Sequence, residues 1–465
     1  MRSFYEPMFI DSYKNIHCVG IGGIGISAIA KFLLAHGKTV TGSDTFASEI
    51  TRDLETRGVK VSIGHALENL PVDVDLVVYT EAAPEDNLER AEAKRRGIKQ
   101  LGHFDFLGEL SKEYRTICVT GTNGKSTTTA MTGLIFEAAR LDPTVFVGSL
   151  VPGWKDGNVR IGQSDILIIE GDEYKKKMLK LHPETTLITN IEEDHLDVYK
   201  DLAEIEQSFH QLGLQTSKTV FLNVFERDRH IYCSEGKAQE KLFGTELLGR
   251  RRFPFFWLLH QARRDIDNGW QRLDGVELQV PGEFNMMNAL GARALARDYG
   301  IDDDVTRRAL KAFKGIWRRF EKVGELVLSN GEGSATIISD YGHHPTAIKG
   351  TLAATKEFYP DRRLVLLFEP HQHSRTKELF DDFVTSFKQA DVAIISEIYH
   401  VEGRVADEDD VSSKDIVDKI GSSQVSYAKN LVAAEAQLRS IIERGDVVIV
   451  MGAGDVDKVA RNLVS

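Results

Sequence analysis

The sequence predicts an α/β protein of three domains built on parallel sheets. Three observations carry this. Short apolar runs alternate with helical stretches along the chain. A strand, a glycine-rich turn and a helix follow one another at 16–36 and again from 116 onward. At about 150 residues per domain, 465 residues leave room for roughly three.

The elements follow in order. Residues 16–21 (IHCVGI) read as a buried strand, 25–36 as a helix, and 38–43 and 75–80 as further strands. The pattern restarts with the strand 116–120, a glycine-rich turn and a helix from about 125. Strands are expected at 165–170, 185–190, 363–368, 391–396 and 446–451. Breaks at 111–115 and 315–324 place the domains at 1–112, 113–320 and 321–465. The segment 236–270 combines a basic cluster with a dense apolar patch. It reads as a core helix with a basic edge or as an exposed contact surface.

Composition narrows the class. Apolar residues make up 42% and charged residues 28%, an ordinary globular balance. The formal net charge of −12 argues against general nucleic-acid binding, which depends on cations meeting phosphates. No apolar run is long enough to span a membrane, and the first residues do not read as a secretory signal. Three cysteines without a C-x-x-C pair give no disulfide framework. A cytoplasmic protein is expected, as monomer or homodimer.

Gly20, Gly22 and Gly25 form G-x-G-x-x-G between a strand and a helix, with Asp44 after the next strand. Small residues let backbone approach a diphosphate, and the helix start supplies N–H groups. The loop reads phosphate, so a dinucleotide and a UDP group fit it equally.

A second loop, TGTNGKSTTT, covers 120–129. It departs from the common P-loop because Gly121 stands only three positions before Gly124. Its chemistry is still legible. Backbone N–H groups of Gly121, Thr122, Asn123, Gly124, Lys125 and Ser126 can surround ATP phosphates, with Thr127 continuing into the helix. Lys125 can neutralise charge and the Ser126 hydroxyl can ligate Mg²⁺. Two phosphate loops in successive domains suit an enzyme that joins a nucleotide-bearing substrate to ATP-driven chemistry.

Glu170 closes one apolar strand, and His195 follows another. A carboxylate and an imidazole at neighbouring strand ends suit a divalent cation near the ATP γ-phosphate. Asn285 and Asn288, three apart, would share one face at a helix start, where Asn285 could also serve as N-cap.

These residues, with RRFEKVG (318–324), DYGHHPTAI (340–348), FEPHQHSRT (368–376) and GAGD (452–455), give the chain a resemblance to the Mur ligases. These are the ATP-dependent amide-forming enzymes of peptidoglycan synthesis. Order and approximate spacing fit along nearly the whole chain, most closely to the alanine-adding members. The resemblance implies an N-terminal Rossmann-like domain that binds UDP, a central ATPase domain and a C-terminal Rossmann-like domain that binds the amino acid. It implies ligation of L-alanine to UDP-N-acetylmuramate through an acyl phosphate, with ATP and Mg²⁺.

Carried over residue by residue, Gly22, Gly23, Ile24, Gly25, Ser27 and Asp44 would hold the UDP moiety. Lys125, His195 and His344 would be catalytic, and Ser126, Glu170 and His195 would hold Mg²⁺. Asn285, Asn288, Arg319 and Asp340 would lie near ATP, with Arg318 a second choice beside Arg319. His344, a possible base for the amine, and Arg375 would face the amino acid.

Departures are visible. Asn123 stands where alanine-adding members usually have His, and Ser126 where they have Thr. Their E-A-D-E-S-D becomes Glu170-Gly171-Asp172-Glu173-Tyr174-Lys175. Their G-R-H-N becomes Gly282-Glu283-Phe284-Asn285, and Gln372 stands where Arg or Thr is common. A tripeptide-joining ligase of the same family and a UDP-sugar or ATP-binding protein without the reaction are the alternatives. A zinc site on His343, His344, His371 and His373 and a nicotinamide-dependent dehydrogenase are further rivals, but neither employs both loops.

Overall fold

In the computed structural model, residues 8–195, 198–223, 238–243, 271–273, 275–328, 333–399 and 411–464 are described. Of the odd segment at 236–270, only 238–243 fall among them.

The first sheet has β1 (Asn15–Val19), β2 (Thr39–Asp44), β3 (Lys60–Ile63), β4 (Leu76–Tyr79) and β5 (Lys99–Gly102) in the order β3-β2-β1-β4-β5. Every pair is parallel. The strand order reverses direction at β1, so the first glycine loop leaves the sheet beside the β1–β4 crevice, where open α/β sheets bind ligands. The β1 core residues Ile16, Cys18 and Val19 are fully enclosed, as strands covered on both faces require.

The central sheet has β6 (Arg115–Thr120), β7 (Thr144–Phe146), β8 (Val159–Arg160), β9 (Ile166–Glu170), β10 (Thr185–Ile188), β11 (Thr219–Asn223) and β12 (Gln239–Phe243). Its order is β12-β11-β10-β6-β9-β7-β8, with only the β7–β8 pair antiparallel. The second glycine loop follows β6, between β9 and β10. Those two strands therefore deliver Glu170 and the 189–195 segment to either side of it.

A hairpin, β13 (Gln271–Leu273) and β14 (Val276–Leu278), precedes the helix Glu283–Asp298. The last sheet contains β15 (Glu321–Val327), β16 (Ser334–Asp340), β17 (Leu364–Phe368), β18 (Val392–Ser396), β19 (Val425–Ala428) and β20 (Val447–Met451). Its order is β15-β16-β20-β17-β18-β19, with β15 antiparallel at one edge. Apolar residues enclose both of its faces, Phe368 and Ile449 on one and Val365 and Val448 on the other.

Three parallel-sheet layers of α/β type are thus present. The expected strands agree with those found to within one or two residues. Two compact units form: Met1–Arg250 with Met287–Leu310, and Arg251–Met286 with Lys311–Ser465. The first unit carries the first two sheets and the second carries the last. Among the described residues no helix is long and apolar enough to cross a membrane.

Candidate active site

Both glycine loops run into helices whose first turns lack a side-chain cap. Gly23 precedes Ile24–Ala35 and Gly124 precedes Lys125–Ala138, neither with a capping hydrogen bond from a side chain. By contrast, Ser48, Asp201 and Asn430 cap the helices that follow them. An uncapped helix start presents N–H groups and positive potential to an anion. Gly124 is held at φ 85°, and a Cβ there would run into the Asn288 amide, so this corner takes no side chain.

Around the first loop, Gly20 N and Ile21 N donate to the Ser43 carbonyl at 2.8 and 2.9 Å. Gly22 N donates to Asp44 Oδ2 at 2.8 Å. Asp44 thus shapes the loop directly. Ser27 is fully buried, and its hydroxyl meets the Ile24 carbonyl at 3.0 Å and Asn158 Nδ2 at 2.8 Å. The edge of the His103 ring lies against Gly25, where a Cβ would collide with it.

The second loop is pinned by the segment after β10. Thr122 N donates to the Asn190 carbonyl at 2.9 Å, and Asn123 N to Asn190 Oδ1 at 3.0 Å. Thr189 Oγ1 and Asn190 Nδ2 both donate to the Asn123 carbonyl, at 2.6 and 2.8 Å. Asn123 Nδ2 donates to Glu192 Oε2 at 3.2 Å.

Lys125 Nζ donates to the Gly121 and Thr122 carbonyls at 2.7 and 2.9 Å and to Glu173 Oε1 at 2.9 Å. Burial alone would lower its pKa. The charges of Glu173, Asp172 and Glu170 outweigh burial and hold it above the usual lysine value. Ser126 Oγ donates to Glu170 Oε1 at 2.7 Å, while Gly148 N donates to Glu170 Oε2 at 2.6 Å. His195 has φ 58°, and its Nε2 stands 3.4 Å from Glu173 Oε1. Its ring packs on Tyr174 at 4.9 Å. Lys125 and Ser126 are therefore brought to the same acidic segment, with Ser126 at Glu170, and Lys125 and His195 at Glu173.

The donor set suits Mg²⁺. One hydroxyl and one carboxylate, both hard oxygen donors, converge at Ser126 and Glu170, and Mg²⁺ ordinarily keeps waters and phosphate oxygens as its other ligands. Among the described residues no three His, Cys, Asp or Glu side chains gather as a metal cluster. His195 faces Glu173 in this structure, and no contact joins it to the Ser126–Glu170 pair.

The two asparagines separate in role. The helix begins at Glu283, so Asn285 lies inside it rather than capping it. The Asn285 Nδ2 donates to the Pro281 carbonyl at 2.7 Å. The Asn288 amide sits against Gly124.

In the second unit, Arg318 is buried and donates to the carbonyls of Gly452 and Gly454 at 2.6 and 2.9 Å. Arg319 is half-buried with its guanidinium 4.7 Å from the Tyr341 ring centre, a face that cations favour. Asp340 is buried and accepts from Phe320 N at 2.8 Å and Gly342 N at 2.7 Å. Burial drives its pKa up, against the pull of Arg319, those N–H groups and Arg318.

His344 caps the helix Pro345–Phe358, its Nδ1 accepting from Thr346 N at 3.2 Å. A neutral ring so engaged carries its proton on Nε2 and is a donor there. The expected base at His344 thus has its Nδ1 engaged as a helix cap in this conformation. Arg375 is buried, with Nη1 3.4 Å from the His371 carbonyl.

Sequence reasoning missed Glu173, Asn190 and Asn158. Glu173 stands three residues after Glu170 and Asn190 five before His195, so both flank residues the sequence already marked. Asn158 had no such signal, since its partner Ile24 is 134 positions away.

The profile described as Mur ligase family, catalytic domain matches residues 15–115, the Mur ligase middle domain 119–296, and the Mur ligase, glutamate ligase domain 318–454. A UDP-N-acetylmuramate–L-alanine ligase of Salinibacter ruber is 38% identical over 97% of this chain and 94% of its own. The chain belongs to the Mur ligase family. A relative of the same name from Alkaliphilus metalliredigens is 37% identical, with 97% of each chain covered. Among solved structures, the UDP-N-acetylmuramate–alanine ligase of Thermotoga maritima superposes with a TM-score of 0.77 at 27% identity. That alignment covers 97% of this chain and 98% of the other. A murein peptide ligase from Psychrobacter arcticus shares the fold, with a TM-score of 0.68 at 22% identity and 97% and 98% of the two chains covered. As a Mur ligase the chain is an ATP-dependent amide-forming enzyme.

Proposed function

We propose that this Mur ligase joins L-alanine to UDP-N-acetylmuramate in peptidoglycan precursor synthesis. The observation that carries the site reading is the placement of Lys125 and Ser126, at the mouth of an uncapped helix start, against the acids Glu170 and Glu173. Full-length relatives of that activity support the choice of substrates.

A carboxylate is a poor electrophile toward an amine. In the proposed reaction a carboxylate oxygen of the sugar acid attacks the γ-phosphorus of ATP, and ADP departs. The neutral amine of L-alanine then attacks the acyl carbon. The tetrahedral intermediate collapses, the carbon–oxygen bond breaks, phosphate leaves with that oxygen, and the proton released by the nitrogen passes to solvent or to the departing phosphate. The protein contributes positioning and fixed positive charge, which dominate phosphoryl transfer.

The first glycine loop, through Gly22, Gly23, Ile24 and Gly25 with Asp44 bracing it, takes the UDP diphosphate. Lys125 exchanges its Glu173 contact for phosphate oxygens. Ser126 and Glu170 would hold Mg²⁺, which when bound neutralises charge on the transferring phosphates. His195, held against Glu173 and Tyr174, is proposed to act beside Lys125 at Glu173. Asn288, against Gly124, is proposed to serve ATP; for Asn285, Arg319 and Asp340 toward ATP, and for Arg375 and His344 toward alanine, the proposal rests on the family resemblance.

The test is direct. Protein supplied with UDP-N-acetylmuramate, L-alanine, ATP and Mg²⁺ should release ADP and phosphate and form the amide, with turnover dependent on each component. ADP release independent of UDP-N-acetylmuramate would reject the substrate. Preference for a tripeptide over L-alanine would assign the recycling activity instead.

A further inference from the structure

The segment 147–158, between β7 and β8, reaches the first turn after one glycine loop directly and the Ser126 hydroxyl of the other through Glu170. Near one end, Gly148 N holds Glu170 Oε2 at 2.6 Å, while the other oxygen of that carboxylate takes the Ser126 hydroxyl at 2.7 Å. In its middle, Trp154 packs against Gly133 on the helix that follows the second glycine loop. At the other end Asn158 is fully buried. Its Nδ2 donates to the Ile24 carbonyl at 2.5 Å and to Ser27 Oγ at 2.8 Å, both in the first turn after the other loop. Its Oδ1 accepts from Lys31 Nζ at 3.2 Å.

The brace is closed on itself and tied down. Val147 N donates to the Asn158 carbonyl at 3.2 Å, and Val151 N to the Gly157 carbonyl at 3.0 Å. Lys31 Nζ also donates to the Asp156 carbonyl at 2.9 Å and stands 3.1 Å from Asp53. Arg57 pairs with Asp156. Only a primary amide supplies the two donors and one acceptor that meet at Asn158. Its loss would leave buried polar groups unpaired.

We infer that Asn158 is a positioning residue for phosphoryl transfer: it sets the first glycine loop, and with it the sugar carboxylate, at the correct distance from the Ser126–Glu170 pair. The inference rests on the proposed assignment of the two loops to UDP-sugar and ATP. The reaction joins atoms held by two different loops, so a small shift of one against the other costs rate before it costs binding of either substrate.

The experiment compares wild type with Asn158→Ala, Asn158→Asp and Lys31→Met. It measures steady-state kcat and KM, and separately the Kd of UDP-N-acetylmuramate and of a non-hydrolysable ATP analogue. Asn158→Asp keeps the acceptor for Lys31 but loses both donors to the loop helix. Both Asn158 variants should lose at least about 10-fold in kcat, with each separate Kd near the wild-type value. Lys31→Met should show the same pattern more weakly, and it supplies the readout if the Asn158 variants do not fold. Unchanged kcat in folded variants, or a loss matched by weaker UDP-N-acetylmuramate binding alone, would overturn the inference. Wild-type turnover is measured first. Its absence would strike the proposed function and the inference together, whereas normal wild-type turnover with unaffected variants strikes the inference alone.

Discussion

Lys125 Nζ lies 2.8 Å from Glu173 Oε2, and both side chains are largely buried. The pair bridges the mouth of the second glycine loop to the acidic segment after β9. Truncating Glu173 to Ala leaves a buried ammonium hydrogen-bonded to the Gly121 and Thr122 carbonyls, with the charges of Asp172 and Glu170 still near it. We expect a stability loss of about 2 kcal/mol, below the usual cost of a broken buried pair because those carbonyls remain. Urea denaturation checks it. Lys125→Ala should retain the fold and lose at least about 100-fold in kcat, as expected when a charge aimed at a transition state is removed.

Ser126 and Glu170 share one hydrogen bond, so their variants should act through the same ion. Ser126→Ala and Glu170→Gln are each expected to raise the Mg²⁺ concentration needed for half-maximal turnover by about tenfold or more. Ser126→Thr keeps the hydroxyl and should stay close to wild type. A Mg²⁺ titration of ADP release distinguishes these outcomes, and a chelator should abolish turnover in all of them.

Gly171 stands where alanine-adding relatives have Ala, and a Cβ there would lie 2.6 Å from Cys118 Sγ. Gly171→Ala alone should destabilise by about 1–3 kcal/mol through overpacking. Paired with Cys118→Ala, which removes the sulfur, much of that loss should return. A double-mutant cycle on thermal stability measures the coupling.

Two buried groups give the stability profile opposite slopes. Burial pushes His103 from 6.5 down to about 4, so the folded chain favours the neutral ring. As pH falls through that window the unfolded chain takes up a proton first, and stability falls. Burial pushes Glu369 from 4.5 up to about 7, so the folded chain favours the neutral acid. As pH rises through that window the unfolded chain loses its proton first, and stability falls again. Each effect is bounded at about 3 kcal/mol. His103→Gln should flatten the acid limb of melting temperature against pH, and Glu369→Gln the limb approaching neutrality.

The strands were legible because their residues are buried on both sides. Runs such as ILIIE at Ile166–Glu170 and VVIVM at Val447–Met451 need no partner information to be read. The glycine loops were legible because phosphate chemistry constrains spacing. What escaped was set by distant partners. The acceptance of Lys125 by Glu173 and the clasp of Asn158 on Ile24 join residues 48 and 134 positions apart. The departures from the family pattern also gain reasons from their neighbours. Lys175, at φ 54°, carries its ammonium 5.5 Å from the Tyr174 ring centre, a face that cations favour. Glu283 falls in the first turn of its helix, where negative charge is favoured.

In the proposed reaction one carboxylate oxygen of the sugar acid passes to phosphate by way of an acyl phosphate formed at the Lys125–Ser126 loop. UDP-N-acetylmuramate labelled with heavy oxygen in its carboxylate tests this most directly, by mass analysis of the phosphate released during turnover. The account predicts one labelled oxygen in each phosphate released. Phosphate free of label, with amide still forming, would contradict it.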